Sequence, residues 1–137
     1  GNSLDWRSYT WPDIWPLWPN IKPYPHIDRT PSLASIPFMF DCSDYGGYGD
    51  DKWPPPAYES LYLAPVVSAY YWSPQCINRH DGGVNYLFLD WSVRKVGLKE
   101  LWTLKWNPLF DTAGPWTRAG GVRPEDWPKW MSKFKDY

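Results

Sequence analysis

No run in this chain of 137 residues approaches the ~20 consecutive apolar residues of a membrane-spanning helix. No basic stretch followed by an apolar run and a small-residue cleavage site resembles a signal peptide. Charge of one sign is also missing, since 14 basic residues stand against 15 acidic ones. No basic stripe supports nucleic-acid binding, and no cationic amphipathic helix supports binding at a membrane surface. Histidine and cysteine are scarce, at two each. No cysteine or serine nucleophile stands in a catalytic motif, and Gly82-Gly83 and Gly120-Gly121 lack the lysine, threonine and helix context of a phosphate loop. These pairs are expected to be turns, and the chain is not expected to be an enzyme.

Aromatic residues are abundant. They make up 20% of the chain, with 12 Trp and 10 Tyr beside 16 Pro. A disordered segment lacks aromatics, so this mixture points instead to an irregular, loop-rich fold with large flat side chains packed between prolines. The length suits one domain with a modest core. Residues 1–35 form a Trp/Pro-rich extended arm, marked by Trp11-Pro12, Trp15-Pro16 and Trp18-Pro19. Proline removes a backbone donor and restricts the residue before it, so regular helix or central strand is not expected there. Residues 36–106 are expected to hold the sheet and helix, and residues 107–137 to wrap across the surface.

Within the central part, residues 36–41 read as a short strand with Pro37 at its start or on an edge. Residues 60–75 read either as an irregular strand or as a loop carrying aromatics. Residues 84–90 and 92–96 alternate on either side of an Asp90-Trp91 turn, the pattern of a β-hairpin. Leu98, Leu101, Trp102 and Lys105 fall at helical spacing before Asn107-Pro108, which predicts one helix over 98–106. The acidic start and basic end of 124–134 suit a second short helix broken or initiated near Pro128. The fold class is therefore α+β: a small antiparallel β-sheet, one or two short helices, and long Trp/Pro-rich loops.

His80 and Asp90 bracket the first hairpin strand with nine residues between them. A histidine and a carboxylate can form an acid/base couple or part of a metal site. With no third ligand at a recognisable spacing, both are expected to hydrogen-bond backbone at the hairpin ends, Asp90 organising the turn and Asn85 fixing a local corner. Asp41, Asp44, Asp50 and Asp51 surround a glycine-rich loop and are candidate calcium ligands, since hard oxygen donors on a flexible loop suit that ion. Their spacing is not that of an EF-hand, and solvated loop carboxylates are the alternative. Cys42 and Cys76 are either one disulfide or two buried thiols.

The stretch Arg79-His80-Asp81-Gly82-Gly83-Val84-Asn85-Tyr86-Leu87-Phe88-Leu89-Asp90-Trp91-Ser92-Val93-Arg94 resembles the C-terminal segment of type II secretion pseudopilin-like proteins with a His-x9-Asp-Gly signature, abundant in planctomycetes. The resemblance covers about residues 76–137, continuing through residues 96–106, Phe110-Asp111-Thr112, Gly120-Gly121-Val122 and Asp126-Trp127-Pro128-Lys129-Trp130-Met131, with a weaker match around 36–59. Trp91 stands where the basic signature has glycine, a departure shared with a long-tailed subgroup of the family. The resemblance implies an exported, extracellular or envelope-bound subunit of a pilus- or pseudopilus-like filament, contacting copies of itself or related pseudopilins. Export favours a Cys42–Cys76 disulfide, and calcium in some major pseudopilins favours the aspartate loop. Family members begin with a prepilin leader and a long hydrophobic helix, and any membrane contact would be through that helix. Neither stands in this sequence, so Gly1 is expected to be an internal start. Assembly would then fall to surface contacts, with Trp6, Trp11, Trp15, Trp18, Trp127 and Trp130 as candidate anchors. The rival expectation is a secreted carbohydrate-binding module that offers Trp and Tyr rings to sugars.

Overall fold

A computed structural model describes residues 32–42, 49–59, 72 and 75–137. Three antiparallel strands form one sheet in the order β1-β2-β3, with β1 at Pro37–Phe40, β2 at Gly83–Phe88 and β3 at Val93–Gly97. The β2–β3 ladder is regular from Gly83↔Gly97 to Leu87↔Val93. The β1–β2 ladder is not. Its register shifts between Pro37, opposite Phe88, and Met39, opposite Leu87, so Phe38 is an extra residue in a bulge. Pro37 has no N–H to give to a ladder, which places it at a strand start or bulge.

Side-chain alternation then divides the sheet. Val84, Tyr86 and Phe88 face the core, while Asn85 is exposed and Leu87 half-buried on the opposite face. Phe40 stacks on Tyr86 with ring centroids 4.9 Å apart, and Trp106 stands edge-on to both rings. From there the aromatic cluster continues through Trp72, whose centroid lies 4.4 Å from Trp102 and 5.3 Å from Trp106. Trp102 leads on to Trp127, and Trp127 to Trp116. Edge-to-face pairs of this kind add about 0.5–1.5 kcal/mol each beyond the area they bury.

The aromatic core also answers the hydrogen-bond needs of a proline-rich segment. Pro54, Pro55 and Pro56 carry carbonyls but no donors. Trp102 Nε1 donates to the Trp53 carbonyl at 3.0 Å, and Trp130 Nε1 donates to the Pro56 carbonyl at 2.9 Å. Tryptophan serves as both apolar filler and donor at this seam.

The expected helix over 98–106 is replaced by a 3-10 helix at Leu98–Thr103. In an α-helix the Leu101 carbonyl would accept from Lys105 N. Here Lys105 N turns away to the Ser35 carbonyl at 2.9 Å, and the Trp106 indole donates to Leu101 O at 2.8 Å. The long-range bond to Ser35 and the local bond from the Trp106 indole thus end the helix two residues after Leu101. Glu100 caps its start, accepting from Gly97 N at 3.1 Å and pairing with Arg94 at 2.5 Å.

The second expected helix is likewise reduced, to a single 3-10 turn at Pro124–Asp126. Trp127 has ψ 145°, the extended conformation imposed on a residue before proline, and Pro128 follows it. Turns continue from there, with Met131 N donating to Pro128 O and Phe134 N to Met131 O. The segment after residue 107 does more than cover the surface: Phe110, Trp127 and Met131 are buried within the core cluster.

Candidate functional site

The tip of the hairpin carries the most exposed large side chain of the described sheet. Asp90 Oδ1 accepts from Ser92 N at 2.9 Å and from Ser92 Oγ at 2.6 Å, the turn-organising role expected of it. These two bonds hold its carboxyl below the usual carboxylate range. Trp91 N donates to Phe88 O, Phe88 N donates to Ser92 O, and Trp91 has φ +67°. That is the left-handed position of a short hairpin loop, where glycine is favoured because a Cβ crowds the backbone. Trp91 accepts this conformation and remains 76% exposed.

Beside it stands the bulge of β1. Phe38 is 52% exposed and meets Trp91 edge-on, at 6.1 Å between centroids and 73° between planes. Met39 and Val93, each opposite Leu87 in its own ladder, are 60% and 70% exposed. A bulge adds one residue, so Phe38 and Met39 both escape the core rather than alternating in and out. The result is an apolar surface of Phe38, Met39, Trp91 and Val93 on the outer side of the sheet, along a strand that is an edge among the described residues.

A polar cluster occupies the other end of the same face. His80 Nε2 lies 3.0 Å from Asp41 Oδ2, and Asn85 Nδ2 lies 3.1 Å from His80 Nε2 and 3.4 Å from Asp41 Oδ2. The His80 side chain is held by the side chains of Asp41 and Asn85 rather than by the backbone expected of it. It joins the corner before β2 to the residue after β1, and Asn85 bridges the strand to that corner. The pair is well exposed, so its net contribution to stability is about 0–1 kcal/mol. The corner is built by Asp81 at φ +48° and Gly82 at φ +78°, with Gly82 N held by Asn78 Oδ1 at 2.6 Å.

The remaining sequence candidates are dispersed. Asp41 belongs to the His80 cluster, Asp50 accepts from Lys52 N across a local turn, Asp51 is half-buried nearby, and Asp44 lies outside the described residues. Among the described residues no group of three His, Cys, Asp or Glu is placed to hold a metal ion. Cys42 and Cys76 are thiols, with no disulfide between them. Burial of Cys76 raises its thiol far above the ordinary range. Trp6, Trp11, Trp15 and Trp18 lie outside the described residues. Trp127 is buried and Trp130 is half-buried with its indole bonded to Pro56, so both are used inside the domain. Among the described residues the exposed tryptophan is Trp91, a member of the turn motif. Its place where the resembled signature has glycine was the signal.

Comparison of the chain with protein-family models, with curated proteins and with solved structures finds no match. The functional reading therefore rests on the residues and their geometry.

Proposed function

We propose that this chain is a structural subunit of an extracellular or envelope filament, the globular domain of a pseudopilin-like protein, assembling through contacts on its surface. The observation that carries the reading is the Phe38–Trp91 pair. A large aromatic held at a left-handed position and left exposed is a poor choice for stability and a good one for a contact. Tryptophan is enriched among the residues that dominate binding energy in protein interfaces. The bulged strand beside it, an edge among the described residues, supplies main-chain groups to which a neighbouring copy can add a strand. The His80, Asn85, Asp90 and Trp91 pattern that underlies the pseudopilin resemblance is the same hairpin that presents this surface. Export, partner copies and related pseudopilins follow from that reading.

A second reading, a secreted carbohydrate-binding module, draws on the same exposure of Trp91. Sugar rings stack on open, roughly coplanar faces, whereas Phe38 stands at 73° to Trp91 and blocks a flat row. The geometry therefore favours protein contact.

Light scattering and electron microscopy of the full chain over a concentration series test the proposal. Oligomers or filaments are expected, and Phe38→Ser with Trp91→Gly should shift the chain toward monomer. A wild-type chain that stays monomeric at high concentration, or a double variant that assembles equally well, would overturn it.

A further inference from the structure

Away from the apolar surface, a shallow cleft of about 390 Å³ opens between the base of the β2–β3 hairpin and the C-terminal tail. Its volume lies in the range of small-ligand sites, about 300–1,000 Å³. One wall is the hairpin base, with Lys95 of β3, whose Nζ donates to the Asp81 carbonyl at 3.0 Å. The facing wall is Lys133, Phe134, Lys135 and Tyr137.

The tail is fixed in place, which makes this a formed site. Arg118 N donates to Tyr137 O at 2.8 Å, and Asp136 turns inward to the buried Lys99 at 2.7 Å. Because Asp136 is engaged there, it does not neutralise Lys133 and Lys135, both of which precede it in the chain. Two aromatic rings lie directly on glycine backbone: a Cβ at Gly82 would meet the Phe134 ring, and one at Gly97 the Tyr137 phenol. Burial and the nearby Glu100 raise the Tyr137 hydroxyl above its ordinary range, so it stays a neutral donor. Lys133 Nζ lies 5.3 Å from the Phe134 centroid and Lys135 Nζ 4.6 Å from that of Tyr137.

The cleft therefore gathers three lysine ammonium groups, one phenol and two aromatic rings, each with a lysine ammonium over it, around the side chain of Asp81. We infer that it binds an acidic saccharide, one or two uronate-sized rings whose carboxylates meet Lys95, Lys133 and Lys135 and whose apolar edges lie against Phe134 and Tyr137. Lysine suits such a ligand, since a mobile point charge tolerates the varied placement of carboxylates along a sugar chain, whereas arginine's fork suits a fixed bidentate partner. Contact with the ring carbons alone would accept neutral sugars, and lysines alone would accept any anion. Their combination selects acidic sugars. This inference is independent of whether the chain assembles.

Calorimetric titration of the full chain with a short oligogalacturonate tests it, with a neutral glucan oligomer of equal length and inorganic phosphate as comparison probes. Binding of the oligogalacturonate is expected, weakening as salt is raised. Lys133→Gln with Lys135→Gln should weaken it by at least about tenfold, the loss of charge-assisted contacts. Lys129→Gln, an exposed residue outside the cleft, should leave it unchanged. All three lysines are exposed, so folding of these variants, followed by tryptophan fluorescence, should be retained. No binding, equal binding of the neutral glucan, phosphate binding as tight as the oligomer's, or a double variant with wild-type affinity would each overturn the inference.

Discussion

Lys99 Nζ donates to Asp136 Oδ1 at 2.7 Å, and the lysine side chain is fully buried while the aspartate remains a third exposed. A cation lies inside an aromatic domain because the C-terminal tail brings a carboxylate to it. The face of Trp127 lies 5.0 Å from the same ammonium and adds a second attraction. The contact spans 37 positions of sequence and ties the tail to the 3-10 helix after β3.

Asp136→Ala should accordingly be costly, since it leaves a buried ammonium without its counter-charge. Loss of one partner of a buried pair costs about 3–5 kcal/mol, and the partial exposure of Asp136 places the expected value at the lower end. Lys99→Met, which removes the charge and keeps the volume, should be much milder. Urea unfolding of both variants checks this, and equal destabilisation would contradict it.

Trp91→Gly is expected to act in the opposite direction on folding. It relieves a left-handed conformation that costs a Cβ-bearing residue about 1–2 kcal/mol, against the lost edge contact with Phe38 and the added freedom of glycine in the unfolded chain. Stability should be unchanged or raised by up to about 1 kcal/mol. A variant that folds as well and assembles less would separate the two roles of this position. A large loss of stability would show that Trp91 is part of the core after all.

Acid should loosen the hairpin tip. The Asp90 carboxyl is held below its usual range by Ser92, and that of Asp126 by Arg123, whose N–H donates at 2.9 Å. A carboxyl with a depressed folded-state pKa stabilises the fold above its unfolded value, roughly pH 4, and that contribution is lost as pH falls through the folded value. Stability should thus hold from neutral pH to about pH 5 and decline below about pH 4. Asp90→Asn keeps an oxygen acceptor for Ser92 but no titrating group, so its acid limb should be shallower. Urea midpoints measured against pH for the two proteins decide the matter.

The two thiols should differ in reactivity. Cys76 is buried and its raised pKa keeps it protonated, whereas Cys42 is half-buried at the end of β1. Iodoacetamide at pH 8 should alkylate Cys42 ahead of Cys76 in the native protein, and urea should remove the difference. Equal native rates, resolved by peptide mass spectrometry, would contradict the burial of Cys76.

The local pieces were legible in the residues alone. Alternation around Asp90-Trp91 marked the hairpin to within a residue or two, and Asp90 organises its turn because a carboxylate two residues before a serine can do so in any short loop. Pro37 marked an edge or a strand start, and the lack of an N–H is a property of proline wherever it stands. The tryptophan content implied an aromatic core in the same way. Which partners those pieces found depended on long-range packing. His80 meets Asp41 across 39 positions because β1 and β2 pair. The 98–106 helix is cut short because Ser35 and the Trp106 indole take over the bonds that would have continued it. Trp127 turned inward and Trp91 outward, although both are tryptophans beside a turn. Periodicity reports only near neighbours in the chain, whereas these outcomes depend on distant groups satisfying one another's hydrogen bonds and filling one another's space.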